Sequence, residues 1–298
     1  MPSEQLENII TMLRAQAAGR GEVEMTLQQW RDAYDGLGAM LPAADGVPTE
    51  AVDAGGVPGE WIGRGDGPVV LYLHGGGYCI GSLDSHRSML THLAAAVGGR
   101  VLAVDYRLAP EHPFPAALDD ACTAYRWVLT SGVAPGRLVV GGDSAGGGLA
   151  LATLVALRDA GDPLPAAGVC LSPWADLTQM GATISEKAEV DPMVRVEDLD
   201  RWAAAYAGVG GDPGDRRLSP LFADLSGLPP LLVEAGTAEV LLDDARRLAV
   251  RAREAGVEVT LREGEDLIHV WHFFAGAVPE ADEGIARVAA FVRERHLG

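Results

Sequence analysis

Nine residues constrain this chain more than any other stretch: Val139-Val140-Gly141-Gly142-Asp143-Ser144-Ala145-Gly146-Gly147. An apolar run, Leu138 to Val140, leads in, and a helix-forming run, Gly148-Leu149-Ala150-Leu151-Ala152-Thr153-Leu154, leads out. Glycines on both sides let the backbone turn sharply, holding the serine in a strained conformation with its hydroxyl projecting. The helix that starts there aims free N–H groups at the same point, where a developing negative charge is stabilised. This is the G-x-S-x-G elbow, whose serine serves as a nucleophile.

A second motif lies upstream. Val69-Val70-Leu71-Tyr72-Leu73 reads as a buried strand and runs into His74-Gly75-Gly76-Gly77-Tyr78. Consecutive glycines cost backbone entropy that packing does not recover, so a purely structural use is poor. Bare N–H groups that approach an oxyanion are a better one, each donor being worth about 10²–10³ in rate. An ordinary flexible loop is the alternative; its place upstream of an elbow weighs against it.

Periodicity supplies the architecture. Leu6, Ile9, Ile10 and Leu13 form one face of an amphipathic helix, and Thr26 with Gln29 makes a capping box for a second helix carrying Trp30, Tyr34 and Leu37. Strands are predicted at Val69–Leu73, Val101–Asp105, Leu138–Gly141, Gly168–Ser172, Leu231–Ala235 and Val257–Arg262, with one or two antiparallel strands before them around Thr49–Trp61. The spacers imply crossover helices and a mostly parallel sheet flanked by helices, an α/β class. The alternation stops between Asp176 and Asp215, a stretch holding Met180, Met193, Trp202 and Tyr206 among charged residues. The last helix, Pro279 to Leu297, turns Ile285, Val288, Phe291 and Val292 to the core.

The chain resembles the hormone-sensitive-lipase family of α/β-hydrolases, the bacterial family IV esterases. The resemblance rests on His74-Gly75-Gly76-Gly77, Asp105-Tyr106-Arg107-Leu108-Ala109-Pro110-Glu111, Gly142-Asp143-Ser144-Ala145-Gly146, Ser172-Pro173-Trp174 and Leu228-Pro229-Pro230. It covers nearly everything from about residue 65 onward, and implies an α/β-hydrolase fold with a helical cap. Residues 1–45 then form an N-terminal cap segment, 46–175 with 216–298 the catalytic domain, and 176–215 inserted cap helices. An apolar pocket beneath such a cap suits an acyl or alkyl chain. Tyr78, Met193, Trp202, Tyr206 and Trp271 are the candidates to line it.

A base and an acid must join Ser144, and catalytic groups in open α/β sheets sit at the carboxyl ends of strands. Glu239 follows the strand Leu231–Ala235 where the family places its acid; aspartate is commoner there. Asp243 and Asp244, one helical turn on, are better read as favouring a helix N-terminus. Of seven histidines, His269 and His272 follow the last predicted strand. The family pattern selects His269, leaving His272 as a partly buried helix residue. His74 is read as orienting the glycine loop, and Asp143 and Glu111 as structural carboxylates. The resemblance thus implies a Ser144–His269–Glu239 triad with Gly75, Gly76 and Ala145 as oxyanion donors, and no metal or organic cofactor.

The implied activity is hydrolysis of short- to medium-chain carboxylic esters. Deacetylation of a small metabolite and lactone opening fit the same residues, as does amide cleavage. A non-catalytic binding protein is remoter, because plant gibberellin receptors of this likeness lack the catalytic histidine that His269 supplies. The net charge of −19 weighs against nucleic acid and anionic membranes as partners. No apolar run reaches the ~18 residues of a membrane span. Cys79, Cys122 and Cys170 lack metal spacing and read as buried thiols, and the start of the chain lacks a signal-peptide pattern; a cytoplasmic protein is expected. By resemblance the last strand and helix can form a homodimer interface, which the residues alone do not decide.

Overall fold

The computed structural model describes residues 2–19 and 25–296. Leu297, placed at the end of the last helix from the sequence, lies outside them, as do residues 20–24 of the N-terminal segment. Among the described residues, eight strands form one sheet in the order β1-β2-β4-β3-β5-β6-β7-β8. They are β1 (Thr49–Asp53), β2 (Pro58–Gly63), β3 (Val69–Leu73), β4 (Arg100–Val104), β5 (Leu138–Asp143), β6 (Ala167–Leu171), β7 (Leu231–Gly236) and β8 (Val259–Gly264). From β4 to β8 every neighbour is parallel, while β1 and β2 are antiparallel at one edge.

The sheet is covered on both faces, which explains the unbroken apolar runs of its central strands. Alternation assigns the faces: Val69, Leu71 and Leu73 enter one core, and Val70 and Tyr72 the other. Helices α4 (Ala116–Thr130), α5 (Ala145–Ala160) and α8 (Leu242–Glu254) pack on the first face; α1 (Glu4–Gly19), α3 (Leu83–Val97) and α9 (Pro279–His296) supply the second. Leu6 and Leu13 of α1 are buried, and Ile285, Val288, Phe291 and Val292 of α9 face inward as the periodicity predicts.

One strand starts later than the sequence suggests. The Val257 amide still bonds back to Ala252 O at 2.9 Å, with Gly256 at φ 81°, so the α8 terminus consumes it and β8 begins at Val259.

Helix α2 (Leu27–Ala39) opens with the capping box: Thr26 Oγ1 accepts from Gln29 N at 3.2 Å, and Gln29 Oε1 accepts from Thr26 N at 2.8 Å. Arg31 pins α2 to the body, donating twice to Glu111 at 2.8 Å and once to the Cys79 carbonyl at 2.9 Å. Glu111 is therefore a structural carboxylate, though an exposed one.

Residues 176–215 contain α6 (Thr183–Glu186) and α7 (Val196–Ala207). Two carboxylates in the first turn of α8 hold this stretch. Asp243 accepts from Ala182 N at 2.7 Å, and Asp244 from Ala175 N and Asp176 N at 2.8 and 2.9 Å. Burial, with Asp176 nearby, raises the Asp244 carboxyl to about 7 despite those bonds.

Candidate active site

Four strand ends meet at one edge of the sheet. β5 delivers Ser144 at the N-terminus of α5, with φ 52° and ψ −123°. This strained geometry is tolerated because the surrounding backbone fixes it: Ser144 N donates to Leu171 O at 2.8 Å, and Ser144 O accepts from Trp174 N at 2.9 Å. Gly146 is required by close approach, since a Cβ there would lie 2.0 Å from the Leu73 carbonyl oxygen.

The turn after β7 carries Glu239, and the loop after β8 carries His269. His269 Nε2 lies 3.0 Å from Ser144 Oγ, and His269 Nδ1 lies 3.0 Å from Glu239 Oε2. Glu239 is completely buried and His269 nearly so, while Ser144 is half-buried. Val270, next to the imidazole, has φ 45° and ψ 47°, an outlier for a β-branched residue; its N–H donates to Ser172 Oγ at 3.0 Å, which fixes the turn. Burial alone would depress the imidazole pKa. The hydrogen bond and charge of Glu239, with the charges of Asp191 and Asp143, outweigh it and hold His269 above its ordinary value.

The glycine loop after β3 differs from expectation at one residue. Gly75 N donates to Asp143 Oδ1 at 3.1 Å and lies 3.3 Å from His86 Nε2, so it is turned inward and does not border the cavity. Gly76 and Gly77 do border it beside Ser144. Among the described residues, neither their N–H groups nor that of Ala145 find a protein acceptor. The free donors are thus Gly76, Gly77 and Ala145, in place of Gly75, Gly76 and Ala145. His74 Nδ1 bonds Gly75 O at 2.8 Å and its ring stacks on Tyr106 at 4.3 Å. Burial and neighbouring His86 lower its pKa to about 3, so it braces the loop as a neutral ring.

A cavity of about 700 Å³ opens over Ser144. Its walls are chiefly apolar and come from α1, α2, the stretch before α7, α7 itself and the loop of residues 269–273, and include Trp30, Leu37, Met193, Trp202 and Phe273. Of the five pocket candidates, Met193 and Trp202 line it; Tyr78, Tyr206 and Trp271 do not. Tyr78 stacks face to face with Tyr206 at 3.7 Å, both buried behind the glycine loop. Trp271 is buried with Nε1 3.2 Å from Glu280 O. An aromatic residue near a site in sequence still has two sides to face, and here packing chose the inner one.

Residues 70–273 match a family model described as the alpha/beta hydrolase fold. A crystal structure of an esterase from the bacterial hormone-sensitive-lipase family superposes with a TM-score of 0.95 at 48% identity, covering 99% of both chains. The chain belongs to that family of α/β-hydrolases. An acetyl-hydrolase of Streptomyces hygroscopicus is 44% identical over 98% of this chain and 97% of its own. An esterase of Acinetobacter venetianus is 33% identical over 96% and 95%.

Three features of this α/β-hydrolase escaped the sequence reading. His272 is fully buried in a 3-10 turn, its Nε2 3.0 Å from the buried Glu234, which Arg287 also reaches at 3.3 Å; it is not a partly buried helix residue. Burial works against the Glu234 charge, but His272 and Arg287 overcome it and hold the carboxyl below its usual range. His86 turned out to reach the elbow, facing Asp143 at 3.3 Å. Asp191 sits against the Glu239 turn. Nothing in local pattern marks any of these, because each pairing joins residues dozens of positions apart. Among the described residues, no cluster of three or more His, Cys, Asp or Glu side chains is arranged to hold a metal ion.

Proposed function

We infer that this α/β-hydrolase is a serine carboxylesterase that cleaves short- to medium-chain carboxylic esters through an acyl-enzyme. The carrying observation is the line of hydrogen-bond distances from Ser144 Oγ through the His269 imidazole to Glu239, each 3.0 Å. The inference assigns Ser144 as nucleophile, His269 as general base and Glu239 as the acid that fixes the imidazole.

In the first step His269 Nε2 takes the Ser144 proton as Oγ attacks the ester carbonyl. The N–H groups of Gly76, Gly77 and Ala145 receive the oxyanion. Collapse expels the alcohol, which takes the proton back from His269, and leaves the acyl group on Ser144. Water, deprotonated by the same imidazole, then releases the acid and restores the serine. Glu239 keeps the proton on Nδ1, so that Nε2 is the basic nitrogen, and stabilises the imidazolium.

The cavity supports the chain-length range, since about 700 Å³ of largely apolar space exceeds what an acetyl group fills. Its walls come from both residues 1–45 and 176–215, which we read as a helical cap over a catalytic domain of 46–175 and 216–298. The similarity to an acetyl-hydrolase favours a second reading, deacetylation of a small metabolite, on the same residues. All three cysteines are free buried thiols, which fits a reducing cytoplasm. β8 is an edge strand and only half-buried, which suits pairing with a second copy in a homodimer.

Hydrolysis of p-nitrophenyl esters from acetate to palmitate, by wild type and His269→Ala, tests the assignment. Turnover that peaks at short or medium chains and vanishes in the variant is expected. No turnover on any chain length would overturn it.

A further inference from the structure

We propose that Asp191 is a positioning residue that holds the Glu239 turn against His269 and ties it to the wall of the substrate cavity. This rests on the triad reading above. Asp191 precedes Pro192, Met193 and Val194, all of which line the cavity. Its two carboxylate oxygens work in opposite directions. Oδ1 accepts from Met193 N at 2.9 Å and from Val194 N at 3.0 Å, folding the wall back on itself. Oδ2 crosses 49 residues of sequence to accept from Val240 N at 3.0 Å. That amide immediately follows Glu239.

The second bond matters because Glu239 has little else to hold it. One oxygen faces His269, and the other, Oε1, is buried with no hydrogen-bond partner among the described residues. The position of the carboxylate is therefore set by its backbone. On one side Ala238 N donates to Leu267 O at 3.0 Å, which links the turn to the loop of His269. On the other side the Val240 peptide is gripped from residues 183–191, its carbonyl by Thr183 Oγ1 at 2.8 Å and its N–H by Asp191. Burial raises the Asp191 carboxyl above its ordinary range, while His269 and the three N–H groups favour its charged form; a charge-assisted bond of this kind is roughly twice as strong as a neutral one.

Asp191 also acts on the base through its charge. The charged and titratable groups bearing on His269 are Glu239 from the β7–α8 turn, Asp191 from the stretch before α7, and Asp143 from the end of β5. Each favours the imidazolium. The Pro192–Val194 wall is thereby tied to the acid and to the base together.

The test is Asp191→Asn, with a pH profile of p-nitrophenyl ester hydrolysis and a thermal melt. Asparagine keeps the shape but removes the charge and one acceptor. The expected result is a loss of about tenfold to 100-fold, carried by kcat more than KM, of the size that misplacing a catalytic group produces. The acid limb of kcat/KM should also move to lower pH, because one anion no longer favours the imidazolium. A change in melting temperature with kcat and the limb unmoved would make Asp191 purely structural and overturn the proposal. Should Asp191→Asn not fold, Asp191→Glu, which keeps the charge, is measured in its place and should retain the limb while losing kcat. Failure of both to fold would assign Asp191 to folding and overturn the proposal too. Ser144→Ala and Glu239→Gln run alongside separate the two levels. Turnover surviving in Ser144→Ala sinks the triad reading, whereas a dead Ser144→Ala with an unchanged Asp191→Asn sinks only this proposal. If Asp191→Asn is inactive and Glu239→Gln is not, Asp191 is itself the acid, and both assignments fall.

Discussion

The Gly75 amide donates to the Asp143 carboxylate at 3.1 Å, so the residue before Ser144 fixes the loop that faces it across the site. Tyr72 Oη donates to the same carboxylate at 2.9 Å, and His86 Nε2 lies at 3.3 Å. Asp143 is fully buried. Burial alone would push its carboxyl up, but His86 and Tyr72 outweigh this and hold it below the ordinary value. The strand end that carries Ser144 and the glycine loop are thus a single braced unit.

Asp143→Ala would leave the Tyr72 hydroxyl and the Gly75 amide without their partner inside the core. Breaking a buried pair in this way costs about 3–5 kcal/mol. A melting temperature lowered accordingly, with loss of turnover in the fraction that stays folded, is the expected outcome. Asp143→Asn, which keeps one acceptor, should fall between wild type and the alanine variant in the same melt.

The pH dependence follows from His269. Its pKa lies above the ordinary value of about 6.5, and the neutral imidazole is the form that can accept the Ser144 proton. The acid limb of kcat/KM should accordingly fall above pH ~6.5, activity rising as the imidazole loses its proton. Glu239→Gln removes the largest favourable contribution to the imidazolium, so the limb should move down. kcat should drop at the same time by up to about 10⁴-fold, the cost of losing the preferred tautomer. A limb that stays in place would contradict the pairing of Glu239 with His269.

Trp202 defines the cavity beside the glycine loop. Its ring packs over Gly77, where a Cβ would lie 2.3 Å from Cε3, and meets Trp30 edge to face at 6.0 Å. Trp202→Ala should open the cavity and shift kcat/KM among p-nitrophenyl esters toward longer chains. It should also destabilise the fold by up to about 3–5 kcal/mol, the usual cost of truncating a buried tryptophan, and less here because the ring is only partly buried. Kinetics across the ester series, paired with a melt, check both effects.

What the sequence made legible is local. The Ser144 elbow is a run of neighbouring residues, and β3, β5, β6 and β7 are apolar runs whose observed ends lie within two residues of the pattern. Strand ends that gather at one edge narrowed the acid and base to a few candidates, the family resemblance singled out Glu239 and His269 among them, and the fold brings both to the serine. What stayed hidden depends on which way a side chain faces once packed. Gly75 and Gly76 are indistinguishable in sequence, yet only the Asp143 carboxylate decides which amide turns inward. Tyr78 and Tyr206 carry the aromatic character of a pocket wall but stack on each other behind it. Asp191 and Glu234 are ordinary carboxylates until the residues 49 and 38 positions away, Val240 and His272, are beside them.

If Ser144 is the nucleophile of ester cleavage, a fluorophosphonate must react with it. Titration with that reagent, followed by intact mass and peptide mapping while p-nitrophenyl ester turnover is recorded, should find one phosphonyl group per chain, located on Ser144, with turnover falling in proportion and Ser144→Ala left unlabelled. Labelling of Ser144→Ala, or turnover that survives full phosphonylation of Ser144, would contradict that role.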